Sequence, residues 1–135
     1  MQTNSPDCPC GSTKLYSDCC KIAHHNISQV KTAEALMRSR YTAFVIANGD
    51  YIIKSHHSIT RPKSKKEKNE IVAWAKSVQW IKLEVLKTSK GLETDTEGTV
   101  KFKAYFFENN NVRTIEENSH FLKENDCWMY VGEAN

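Results

Sequence analysis

The sequence predicts an α+β fold, with helices on one face of an antiparallel sheet and a small cysteine-held knuckle in front. Three observations predict it. Four of the five cysteines bunch within thirteen residues, as Cys8-Pro9-Cys10 and Cys19-Cys20. Helical signals then run through residues 30–76, and from Ile81 onward the period changes to two, in consecutive hairpin-sized runs. Helices first and hairpins afterwards gather the helices on one side of a meandering sheet.

The knuckle comes first in the chain. A packed core has no use for thiols bunched in this way. A tetrahedral Zn²⁺ does, because it takes four soft ligands at about 2.3 Å and tolerates a short loop between ligand pairs. Thiolates also exclude Mg²⁺ and Ca²⁺, which require oxygen. Cys8, Cys10, Cys19 and Cys20 are therefore the expected ligands of a structural zinc, with no position left open for a reacting water. Two alternatives stand beside this reading: a reduced or redox-active cysteine cluster, and His24 or His25 as a ligand in place of one adjacent cysteine. Lys14 and Lys21 are placed to offset part of the thiolate charge. Cys127 stands alone and reads as a free thiol on the last strand.

The elements follow in order. Residues 1–22 form the knuckle and residues 23–29 a linker, leaving 30–133 as the main domain. Over residues 30–47, Val30, Ala33, Leu36, Met37, Ala43, Phe44 and Ala47 fall in one arc of a helical wheel. Gly49 is the expected C-terminal cap, and Asp50 the N-cap of a short second helix over 51–56. Ser64-Lys65-Lys66-Glu67 is a capping-box pattern that opens a third helix to about residue 76, with Ile71, Trp74 and Ala75 inward. Ile81, Leu83 and Val85 alternate as the inner face of a first strand. Val100, Phe102, Ala104 and Phe106 do the same for a second. Asn109-Asn110-Asn111 turns the chain into a third strand over 112–123, and Glu124-Asn125-Asp126 into a fourth over 127–131.

Composition bounds the function. With 135 residues and 39% hydrophobic content, the chain suits one compact domain with a small appendage. No apolar run reaches the roughly 18 residues of a membrane span. The polar start carries no signal pattern, so a cytoplasmic protein is expected, in a reducing compartment where clustered cysteines hold metal more often than they pair. A net charge of +3 is too balanced to argue for nucleic acid. Residues 61–68 do hold five bases against one acid. They read as a solvated loop and helix start, or as a patch whose binding to phosphate or an acidic partner is weak and salt-dependent.

Two charges fall where apolar residues belong. Arg40 sits inside the apolar arc between Leu36 and Phe44, whereas Arg38 lies off it and is expected in solvent. Glu117 shares a strand face with Ile115 and Phe121. An unpaired charge in a core is costly, so the two are expected to face each other, as a structural salt bridge or as the polar floor of a ligand pocket.

The spacing Cys8-Pro-Cys-Gly-Ser-x₆-Cys19-Cys20 closely resembles the SEC-C zinc motif found at the C-terminus of the bacterial SecA motor. The likeness continues through Leu36-Met37-Arg38-Ser39-Arg40-Tyr41-Thr42-Ala43-Phe44, Tyr51-Ile-Ile-Lys-Ser-His-His57, Trp80 and Glu117-Asn-Ser119-His-Phe121-Leu-Lys-Glu, which together resemble the bacterial YchJ family. That resemblance implies a nuclear-transport-factor-2-like domain, a curved antiparallel sheet wrapped by helices into a cone with a pocket. The resemblance adds His57 to the candidate pocket, whose other expected residues are Arg40, Tyr41, Trp80, Glu117 and Ser119; Trp74 and Tyr105 are further aromatic candidates, and the aromatic residues also read as core. Two features depart from the family. Related proteins often carry a second SEC-C motif toward the C-terminus, which these 135 residues lack. The family also has Trp-His-Pro where this chain has His56-His57-Ser58.

Two functions follow as expectations. One is a binding or adaptor protein whose knuckle docks a protein partner while the cone scaffolds it or holds a small ligand. The other is an isomerase- or dehydratase-type enzyme using His57 with Glu117 or Tyr41 in acid–base chemistry. A pocket that stays closed and fully packed would favour the binding protein, and an open cavity with His57 and Glu117 both exposed in it would favour the enzyme.

Overall fold

The structure is a computed structural model describing residues 7–134. The first six residues of the expected knuckle segment lie outside the described residues.

The chain leaves the knuckle through a short helix, α1 (Cys20–His25), and a 3₁₀ turn (Ile27–Gln29). Residues 23–29, expected as a linker, are part of the packed body: Ala23, Ile27 and Val30 are buried in the main core. Their spacings of four and three put them on one side of the helical turns. Helix α2 (Ala33–Val45) starts at Thr32, whose hydroxyl accepts from Ala35 N–H at 3.1 Å.

The end of α2 differs from expectation. Ala47 takes the left-handed conformation, φ 58°, and the Asn48 N–H reaches back to the Ala43 carbonyl at 2.7 Å, the bond pattern of a Schellman cap. Gly49 instead begins α3 (Gly49–Lys54), and Asn48, not Asp50, caps that helix by accepting from Tyr51 N–H. The glycine is used for close approach, since a Cβ there would come within 2.6 Å of the Val72 side chain on α4. Helix α4 (Lys65–Ser77) opens with both bonds of the Ser64–Glu67 capping box in place.

Four strands follow: β1 (Gln79–Lys90), β2 (Glu97–Glu108), β3 (Asn111–Glu124) and β4 (Cys127–Glu133). They form one antiparallel meander in chain order. Asn109-Asn110 and Asn125-Asp126 each take positive φ at both positions, the two-residue hairpin turn that matches strand twist. Alternation holds along β2 and β3, where Val100, Phe102, Ala104, Phe106, Ser119 and Phe121 are buried. It breaks in β1. A bulge between Trp80 and Lys82 leaves Ile81 outside at 50% exposure, while Trp80 and Leu83 turn toward the helices. The core therefore sits between α2 and the sheet, around Leu36, Ile52, Val100, Phe121 and Trp128. The Trp128 indole N–H donates to the Lys31 carbonyl and ties the last strand to the start of α2.

Candidate functional site

Helix α2 carries two sites on opposite flanks. The first is the knuckle. Its loop closes on itself when Cys8 N–H donates to the Lys14 carbonyl at 2.8 Å, and Gly11 supplies a left-handed φ of 85°. This brings Cys8 and Cys10 over Cys19 and Cys20, which sit at the start of α1. The four Sγ atoms lie within 4.8 Å of one another. Cys10 and Cys19 are 3.6 Å apart, and Cys19 and Cys20 4.0 Å. A regular tetrahedron of 2.3 Å bonds needs ligand edges of about 3.8 Å, so the donors fit a four-coordinate thiolate site.

Crowding drives the thiols apart in acidity. Hydrogen bonding from Cys20 holds Cys10 down at about 4, while that same bond and burial push Cys20 up, and burial raises Cys19. Four thiolates together would need a cation among them, and the donor set is compatible with a divalent metal.

The metal-binding reading of His24 and His25 does not fit this arrangement. The His24 ring is used at both nitrogens: Nε2 donates to the Ser39 carbonyl at 2.8 Å, and Nδ1 accepts from the Tyr16 hydroxyl at 2.9 Å. Burial lowers its pKa and keeps it neutral. His25 is exposed and outside the four-residue group.

Arg38, expected in solvent, instead latches the knuckle to α2. Its Nη1 donates to the Cys10 carbonyl at 2.6 Å and its Nε to Glu34 at 3.0 Å. Thr42, one turn on, sits 3.6 Å from Cys8 Sγ, and Ser12 Oγ is 3.1 Å from Cys19 Sγ. Lys14 and Lys21 remain on the surface. Cys127 is half-buried and has no partner thiol.

The second site is a cavity of about 610 Å³ between α2, α4 and the sheet. Arg40, Tyr41, Trp80, Glu117 and Ser119 line it, as do Phe44, Trp74, His56 and Tyr130. Arg40 is 7% exposed and donates through Nη1 to the Ile52 carbonyl at 2.9 Å and to Ser55 Oγ at 2.7 Å. Burial pushes its pKa down to about 10, which leaves it charged at neutral pH. Arg40 and Glu117 form no ion pair. The Arg40 guanidinium lies 4.5 Å over the Tyr130 ring, and the Tyr130 hydroxyl donates to Glu117 at 2.9 Å. Ser119 donates to the same carboxylate oxygen at 2.6 Å. An aromatic ring thus stands between the two charges.

His57 lies outside the cavity, and His56 takes its place. Helix α3 stops at Lys54, Ser55 caps it, and His56 forms a single parallel bridge with Tyr130 of β4: Tyr130 N–H donates to Ser55 O, and His57 N–H to Tyr130 O. That bridge fixes the backbone at His56, whose side chain lines the cavity while that of His57 does not. The His57 Nδ1 accepts from Ile59 N–H at 3.1 Å, near Glu124. His56 is held down at about 4 by burial and by the Arg40 and Arg61 cations, so it is neutral at pH 7. Tyr105 is on the outer sheet face, donating to Glu84.

The basic run is only partly free. Arg61 donates to the His56 carbonyl, Lys63 to the Ser58 carbonyl, and Lys68 pairs with Asp50. Lys65 and Lys66 are exposed. Sequence reasoning missed Tyr130 and His56. The alternation of Trp128 with Tyr130 pointed inward, but nothing local marked the ring that separates two charges.

A family model described as YchJ, middle NTF2-like domain, matches residues 32–133. UPF0225 protein VP1145 of Vibrio parahaemolyticus is 43% identical over 124 residues, covering 92% of this chain and 72% of the relative. A UPF0225 protein of Vibrio cholerae is 39% identical over 126 residues, covering 92% and 80%. The chain is also similar to two solved structures. RPA3114, a SEC-C motif containing protein from Rhodopseudomonas palustris, superposes with a TM-score of 0.76 at 31% identity, covering 95% of this chain and 98% of that one. A SEC-C motif containing protein from Psychrobacter arcticus gives 0.74 at 29% identity, covering 92% and 79%.

Proposed function

This chain belongs to the YchJ family, and we propose that it is a cytoplasmic zinc-stabilised binding protein whose cone holds a small ligand. Zn²⁺ on Cys8, Cys10, Cys19 and Cys20 supplies structure, since four thiolates close its coordination. The outer side of the knuckle, with Lys14, Leu15, Lys21 and Ile22 exposed, is the surface for a protein partner. Among the described residues no helix is long and apolar enough to cross a membrane. With three of its five bases engaged, the 61–68 run supports no more than weak contact with nucleic acid.

The observation that carries the ligand reading is the cavity itself: apolar walls over a buried guanidinium and a carboxylate that do not neutralise each other directly. An isomerase or dehydratase in the same space would have to work without His57. Of its remaining candidates, Tyr41 is a poor proton shuttle at neutral pH, because burial pushes it up to about 12.

The test is uptake of the neutral dye N-phenyl-1-naphthylamine together with metal analysis. We expect bright, saturable dye fluorescence that Ile115→Trp, which fills the cavity from β3, removes without lowering folding. We also expect about one zinc per chain, lost in the Cys19→Ser, Cys20→Ser double variant. Dye uptake unaffected by Ile115→Trp would remove the ligand reading, and metal-free protein would remove the zinc.

A further inference from the structure

The floor of the cavity is notable for what it leaves unused. Among the described residues Arg40 commits only Nη1 to hydrogen bonds. Among the described residues every fully buried side-chain nitrogen or oxygen has a hydrogen-bond partner. Its Nε and Nη2 therefore keep access to open space, and the space that Arg40 borders is the cavity. Glu117 receives Ser119 and Tyr130 both on Oε2, which leaves Oε1 open in the same way. The floor thus shows cationic donors beside an anionic acceptor, with the Tyr130 ring between them.

Charge narrows what can bind there. Arg40 and Glu117 cancel, His56 adds nothing at neutral pH, and the exposed Glu67 and Glu70 stand at the rim against the single Arg61 cation beside His56. An anion meets two carboxylates against one guanidinium on its way in. A cation meets Arg40 at the bottom. A ligand without net charge that offers an acceptor and a donor side by side satisfies both residues, and any ligand offering only one leaves a desolvated charge unanswered. The walls choose the rest of the molecule. Phe44, Trp74 and Trp80 present a run of ring faces and edges, with Trp74 and Trp80 5.4 Å apart at 87°, and such walls favour a flat aromatic body.

We propose that the cavity recognises an uncharged aromatic ring bearing a carbonyl next to an N–H, a lactam or aryl carboxamide, with its oxygen on Arg40 and its N–H on Glu117. This rests on the reading of the cavity as a ligand site and names the chemistry of that ligand. No covalent step is involved.

Calorimetry on the wild-type, zinc-loaded protein tests it with four compounds of similar size: 2-quinolinone, N-methyl-2-quinolinone, 2-naphthoate and naphthalene. The lactam should bind tightest, and N-methylation, which deletes the donor, should weaken binding by about tenfold or more. Naphthoate should bind no tighter than naphthalene. In Glu117→Leu, checked as folded by its near-ultraviolet spectrum, the N-methyl penalty should shrink to within about threefold. Tightest binding of naphthoate would make the floor an anion site and overturn the proposal. So would equal binding of all four compounds, or an N-methyl penalty that survives Glu117→Leu. If none of the four binds while N-phenyl-1-naphthylamine does, this inference falls alone. If the dye fails as well, the ligand-site reading falls with it.

Discussion

Arg40 shows how a single residue is decided by its neighbours. A charged side chain in an apolar arc calls for compensation, and the sequence offers Glu117 as the compensating charge. The structure divides that task among the Ile52 carbonyl, the Ser55 hydroxyl and the face of Tyr130. Glu117 is satisfied separately by Ser119 and Tyr130. Arg40→Leu should therefore cost about 2–4 kcal/mol through lost charged hydrogen bonds and packing. Adding Glu117→Leu should not restore it, and urea melts of the four proteins in the cycle should give a coupling below about 1 kcal/mol. A large rescue would show that the two charges act as a direct pair.

His56 makes a pH prediction at the same scale. Its folded pKa is depressed to about 4 by burial, Arg40 and Arg61, with His57 adding to the effect. The unfolded chain, titrating near 6.5, then binds the proton first. Stability is fully present above about 6.5 and is lost as the pH falls toward 4. Thermal melts across this range should show that decline, and His56→Asn should flatten it. An unchanged acid limb in the variant would place the titrating group elsewhere.

Strand β1 makes the same point for an element. Strict alternation from Ile81 puts Ile81, Leu83 and Val85 on one face. The bulge after Trp80 inserts Ile81 as an extra residue, sends it outward and turns Trp80 toward the cavity. Ile81→Ala should change stability by about 0.5 kcal/mol or less, the range of surface substitutions. Leu83→Ala, at a site 7% exposed, should cost about 2–4 kcal/mol. Equal effects in denaturant melts would mean that the strand keeps a regular register. Helix α2 is the other decisive element. One flank carries Arg38, Ser39 and Thr42 to the knuckle, and the other carries Met37, Arg40, Tyr41 and Phe44 to the cavity. Both sites therefore depend on how one helix is held.

That shared helix sets the behaviour of the whole molecule. A knuckle joined by a linker would unfold on chelation and leave the body unchanged. Here the Arg38–Cys10 bond, the Thr42–Cys8 contact and the His24–Ser39 bond join it to α2, and Ala23 and Ile27 belong to the main core. Removing metal with a strong chelator should leave the sheet's far-ultraviolet signal in place while lowering the body's Tm by about 5 °C or more, as loss of a bound stabilising ion does. A Tm that does not move would show the knuckle to be energetically separate.

Much of this organisation was legible from residue order, for a physical reason. Thiol identity and spacing, the helical period of α2, the Ser64–Glu67 cap, the β2 alternation and the asparagine turns are all local, set by neighbours a few positions away. What only the tertiary structure decided depends on backbone pairing between distant segments. Which of His56 and His57 faces inward follows from where α3 stops and from the pairing of residues 55–57 with β4, more than seventy positions on. Arg38 finds the Cys10 carbonyl only because the knuckle folds back over α2. Tyr130 separates Arg40 from Glu117 only because β4 closes the meander beside β3. Side-chain period reads the face of an isolated element, and the long-range pairing that selects each partner leaves no local mark.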